Sequence, residues 1–381
     1  MSYASTDKNR YSAAPSRTDQ ISALTGIRFF AAAYVFIFHY GASAAGKAEA
    51  PGLLTRFLDN GYVGVSMFFI LSGFILSHAH ARRMVSYRHS KRFFLSRFAR
   101  IYPVYVFALL ISLPITWERL DLQKTILALS LTQAWSWSLS GQGFTWISPA
   151  WTLSVEAAFY LSFPLLFGLV RNCSTKLLFT ILALDVLFMI YAGVAAIHPG
   201  YTALDFFSDR LWLAYVPIPL LMGTEFFYGM ALYAMLQKVK FIPIHALGNG
   251  VTTVIAMATV VSLAISSSPH VVTASAVIFG VLLCALHETD NVLKRVLGTK
   301  ILFVLGASSY ALYITQVAFH HYCLAFLPHG KLFALPVCII LSIGVWFFIE
   351  EPARRKIMGP KKPVERNVME PSTVMSQAPE R

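Results

Sequence analysis

The sequence predicts an all-α polytopic membrane protein of about ten transmembrane helices with both termini cytoplasmic. Three observations lead there. Hydrophobic residues fill 56% of the 381 positions and charged residues 13%, about half the charge of a soluble domain. Apolar runs long enough to cross a bilayer recur along the chain. With the N-terminus inside, the internal loops carry fourteen lysines and arginines and the external loops six, the bias of the positive-inside rule. The net charge of +13 therefore reads as cytoplasmic loops and basic tails against anionic lipid, with the bilayer as partner and no nucleic acid.

Taken in order, residues 1–20 are polar and lack an apolar stretch followed by a cleavage site, which marks a loose cytoplasmic tail. Apolar spans follow at about 22–42, 62–80, 101–117, 151–170, 176–196, 213–236, 245–266, 271–287, 302–325 and 332–349. They form one membrane domain over 21–356, and 357–381 has the composition of a disordered cytoplasmic tail. The stretch 124–147 is amphipathic and holds Trp135, Trp137 and Trp146, so it belongs at the outer interface. Cys173, Cys284, Cys323 and Cys338 make no CxxC pair or metal-like cluster, so neither a disulfide framework nor a metal site is expected.

Polar groups inside spans are costly and point to function. In LTGIRFFAAAYVFIFHY, Arg28 and His39 are eleven residues apart. At 100° and 1.5 Å per residue they share a helix face and lie about 16 Å from each other. A snorkelling arginine with a hydrogen-bonded histidine is the plainer alternative. The loop at 81–100 is the most basic region. Positive-inside bias explains most of its charges, but Arg97 and Arg100 stand one turn apart directly before a span. Paired guanidiniums there suit a nucleotide diphosphate.

In SPAWTLSVEAAFYLSFP, Trp151 marks entry from the outer interface, which puts Glu156 about 8 Å below it. His39, about 26 Å up from the cytoplasm, reaches the same outer half of a core about 30 Å thick. The pair could act as orienter and base. Tyr310, Tyr313 and Gln316 line one face of a later span, and Ser154 or Thr152 could donate to a developing oxyanion. Asp185 and Glu225 read as structural, and His320, His321 and His329 are a weak metal signal.

Together these residues resemble acyltransferase family 3, integral membrane enzymes that O-acylate surface glycans. The likeness spans about 20–356 and rests on Arg28-x10-His39, VGVSMFFILSGFIL (63–76), RFARIYP (97–103), WTLSVEAAFYLSFP, SSYALYITQ (308–316) and the terminal EEPARR. Two departures stand out. Thr25 precedes Gly26 where many members have an aspartate, and Gln316 stands where relatives show a histidine.

The resemblance implies a bacterial inner-membrane enzyme with no permanent cofactor. Its donor would be cytoplasmic acyl-CoA, most commonly acetyl-CoA. Its acceptor would be an outer glycan such as exopolysaccharide or O-antigen, or a lipid-linked precursor, with possible polysaccharide-assembly proteins as partners. The expected roles are catalysis by His39 and Glu156, and donor binding by Arg28, Arg97 and Arg100. Substrate contacts are expected from Trp151, Ser154, Tyr310, Tyr313 and Gln316. A transporter or flippase of a lipid-linked saccharide is the alternative, disfavoured by the lack of a clear internal repeat.

Overall fold

The computed structural model describes residues 17–44, 52–81, 90–135, 146–192, 217–239, 248–266 and 268–359, and these contain helices and turns but no strand. Among the described residues seven helices are long and apolar enough to cross a membrane, or eight if a pair bent by 56° at Ser308 is one span, and these do not account for all of the ten spans expected from the sequence. Of the expected tails 1–20 and 357–381, residues 1–16 and 360–381 fall outside the described residues, as do 193–216, while 17–20 and 357–358 are helical.

Helix α1 runs Arg17–Ala44, so Thr25 lies two turns inside it and not at a cap. Helix α2 (Gly52–Asp59) leads through the turn Asn60–Tyr62 into α3 (Val63–His80). The turn serves a distant helix end. Asn60 donates Nδ2–H to Leu263 O at 2.7 Å and Ser266 O at 2.8 Å, and Arg56 donates to Ile265 O at 3.0 Å. These bonds satisfy the last carbonyls of α9 (Gly248–Ile265), which its own helix leaves open.

Helix α4 spans Lys91–Thr116 and begins ten residues before the expected span. No breaker stands between Lys91 and Pro103, and Phe93 and Ala99 are both buried. Arg97 and Arg100 therefore sit on a helix and not in a loop. Helix α5 (Leu122–Ser130) stops where Leu131 turns left-handed at φ 56°. Helix α6 (Trp151–Asn172) follows the turn Ser148–Ala150. The sequence places this entry at the interface, but Ile147, Pro149 and Ala150 are buried. α6 starts inside the bundle.

Beyond α7 (Thr175–Ala192) and the turn Ile218–Leu221 comes α8 (Gly223–Lys238), which packs closely on α3. Gly73 of α3 faces the carbonyl of Phe226, and Gly229 of α8 faces the carbonyl of Ile70. A side chain at either position would press on backbone that cannot rotate away. Gly229→Val is expected to cost about 1–3 kcal/mol by overpacking, read as a Tm lower by several degrees in lipid nanodiscs.

Helix α10 (Pro269–Glu288) pairs with α9, and the short α11 (Val292–Leu297) is capped by Asn291, whose side chain accepts from Lys294 N at 2.8 Å. Asn291→Ala is expected to destabilise by about 1 kcal/mol, measured by the same thermal melt. Helices α12 (Lys300–Ala307) and α13 (Ser309–Phe326) form the bent pair. The last span is α14 (Gly330–Val345), a π-helical turn Trp346–Glu350, and α15 (Glu351–Met358), which packs on α4.

Candidate functional site

Five helices line a partly open pocket of about 710 Å³, counting the space at its mouth. Helix α3 gives it one mostly apolar wall from Val65 to Leu76, with Phe68, Phe69 and Ser72 among the lining residues. The facing wall is polar. It carries Arg28 from α1, Arg97 and Arg100 from α4, Thr152, Glu156 and Tyr160 from α6, and Tyr310 and Tyr313 from α13. The lining residues of α3 span twelve positions, about 16 Å of helix.

Charge is graded along this length. At one end Arg97 lies over two rings, 5.8 Å from the centroid of Tyr160 and 5.9 Å from that of Phe93, contacts worth about 0.5–2 kcal/mol. In the middle the Arg28 guanidinium stands 5.8 Å from the Phe68 ring, and its Nε has no hydrogen-bond partner among the described residues. Tyr160 donates its hydroxyl to Glu156 Oε1, a carboxylate within electrostatic reach of both Arg28 and Arg97. At the other end Tyr313 packs against Phe68, and Thr152 donates to Pro149 O at 2.8 Å.

Glu350 completes the charge set from behind the lining. It is 5% exposed, ends the π-helical turn, and lies within reach of Arg28 and Arg100. A π-turn inside a helix often marks a functional site. Three guanidiniums then face two carboxylates, which leaves one excess positive charge. Two like charges 4 Å apart at an effective dielectric near 20 repel by ~4 kcal/mol. Such a group of arginines suits an anionic ligand.

The structure thus brings together seven of the residues singled out by the sequence: Arg28, Arg97, Arg100, Thr152, Glu156, Tyr310 and Tyr313. Four others lie elsewhere. Ser154 is buried and accepts from Ala134 N at 3.2 Å, so it pins the approach to α6. Trp151 is half-buried and meets Phe69 edge-on. Gln316 is one turn beyond Tyr313, buried, and donates to Tyr313 O at 2.9 Å.

His39 is exposed and outside the pocket lining, on the same face of α1 as Arg28 and eleven residues along it. Glu156 lines the pocket with Arg28 and Tyr160, whereas His39 is not among the lining residues. Asp185 and Glu225 are near each other, away from the pocket, with Glu225 fully buried beside Ser66.

Sequence reasoning missed Tyr160 and Glu350. Tyr160 follows Glu156 by four residues, one helical turn, and this was a usable signal. Glu350 had no such signal. Its neighbour Glu351 pairs with Arg354 at 2.7 Å and Arg355 at 2.9 Å, and the sequence does not say which of the two carboxylates turns inward.

A helical membrane bundle with a cationic, part-apolar internal pocket is the class that fold and site define. The sequence model of an acyltransferase domain family matches residues 21–351, and the chain belongs to that family. Acyltransferase MdmB of Streptomyces mycarofaciens is 30% identical over 241 residues, covering 58% of this chain and 59% of that protein. Protein 2 in the picA locus of Rhizobium radiobacter is 40% identical over 87 residues, 23% of this chain and 40% of that protein. The chain thus spans less than two thirds of the length of either relative. No solved structure matches it.

Proposed function

We propose that this protein is a multi-pass inner-membrane O-acyltransferase. In this reading it moves an acyl group, most simply acetyl, from cytoplasmic acyl-CoA to a hydroxyl of an extracytoplasmic glycan or its lipid-linked precursor. The observation that carries the reading is the meeting of Arg28, Arg97 and Arg100 in one pocket, opposite the apolar wall of α3. Guanidiniums suit the phosphates of coenzyme A, and the apolar wall suits the pantetheine arm and acyl chain. Family membership and the acyltransferase MdmB likeness support group transfer.

The chemistry divides along α1. The donor phosphates sit at the arginine end, where Glu156 and Glu350 offset part of the guanidinium charge when no anion is bound. The thioester extends along the face that Arg28 shares with His39. His39 takes the proton as the acceptor oxygen attacks the thioester carbonyl. The C–S bond then breaks and coenzyme A leaves as the thiol. Glu156, placed with Arg28 and Tyr160, serves the donor end in this scheme.

Protein sealed into liposomes with its two faces separately accessible tests the reading. Acetyl-CoA supplied on the face carrying the start of α4 is expected to be consumed, with acetyl recovered on a glycan supplied to the opposite face. If no acyl-CoA from acetyl to palmitoyl is bound or consumed, the reading fails.

A further inference from the structure

Arg28, Arg97, Arg100 and Glu156 all line the pocket. An arginine and a carboxylate sharing a pocket attract each other and commonly close into a bidentate contact. Here they do not. The ion pairs of the described residues all lie elsewhere, and none joins Glu156 to an arginine. Yet Glu156 is within electrostatic reach of Arg28 and Arg97.

Tyr160 accounts for this. It follows Glu156 by one turn of α6, is buried, lines the same pocket, and donates its hydroxyl to Glu156 Oε1. The same residue holds Arg97, whose guanidinium stands 5.8 Å from the centroid of the Tyr160 ring and 5.9 Å from that of Phe93. Phe93 meets the Tyr160 ring edge-on at 6.3 Å and so fixes its plane. One side chain thus takes the carboxylate at its hydroxyl and the guanidinium at its ring. A ring attracts a cation more weakly than a carboxylate does, so the charge of Arg97 stays available to a ligand. With the hydroxyl removed, the Glu156 oxygen would turn to the nearest N–H donors, the guanidiniums.

We propose that Tyr160 is a positioning residue for the donor: by holding Glu156 it keeps the carboxylate off the arginines and leaves them open to the donor's phosphates. This rests on the acyltransferase reading and adds to it the device that keeps the anion site open before the donor arrives. Tyr160 acts through Glu156 and Arg97, not on the reacting atoms.

The test is a double-mutant cycle on the full chain in lipid nanodiscs, with coenzyme A and inorganic pyrophosphate as probes in equilibrium dialysis. Tyr160→Phe keeps the ring beside Arg97 and removes the hydroxyl. It is expected to weaken binding of both probes about tenfold, the scale of one hydrogen bond to a charged group, because Glu156 then competes for the arginines. In a Glu156→Gln background the same change should shift binding by less than about twofold, since the competing charge is gone. A tyrosine that served only packing would weaken binding equally in both backgrounds. That result overturns the proposal, as does Tyr160→Phe binding the probes like wild type, or wild type binding neither. If wild type binds pyrophosphate with the expected pattern but never coenzyme A, the donor reading fails while the role of Tyr160 stands.

Discussion

His39→Ala is expected to lower acyl transfer by on the order of 10²–10⁴-fold, the contribution of a positioned general base, with coenzyme A binding unchanged. The split follows from geometry. His39 is exposed and outside the pocket lining, whereas Arg28, Arg97 and Arg100 line it. Removing an exposed imidazole leaves the cationic end and the packed core intact, so the variant should keep the wild-type Tm. Transfer assays with saturating acetyl-CoA, run beside dialysis against coenzyme A, separate the two effects. An alanine variant as active as wild type would show that His39 only packs at the end of α1.

The second large effect is expected at the arginines. Arg97→Gln and Arg100→Gln each remove charge-assisted bonds to the donor, worth about 1.5–3 kcal/mol, or roughly 10–150-fold in affinity. The loss should appear in the KM for acyl-CoA, with kcat less affected. For Arg100→Gln stability should move the other way or not at all, whereas Arg97→Gln also loses its contacts with the Tyr160 and Phe93 rings. Three guanidiniums converge with two carboxylates in reach, so deleting one relieves repulsion in the unliganded protein. A Tm that drops by several degrees with an unchanged KM would make these arginines structural and remove the basis for the donor site. Glu350→Gln offers a cross-check. It removes one of the two counter-charges behind the pocket, and it should lower the Tm of the unliganded protein while tightening coenzyme A binding.

What the sequence determined is what one helix determines by itself. Apolar length and the lysine and arginine bias point to a membrane bundle, and helical pitch puts Arg28 and His39 on one face and Arg97 one turn from Arg100. These relations depend only on a rise of 1.5 Å and a rotation of 100° per residue. They hold whatever the neighbours are.

The tertiary structure decided which helices meet and at what height. The buried turn Ser148–Ala150 leads into α6, and Glu156 joins Arg28 and Tyr160 in one pocket. Packing turned Glu350 inward and left Glu351 to pair with Arg354 and Arg355. It also withdrew Ser154 from the pocket and set Gln133 beside α6. Each of these depends on contacts between residues distant in sequence. Such contacts are set by interlocking surfaces, such as the glycine-lined seam of α3 and α8, and not by any periodicity that a single segment displays.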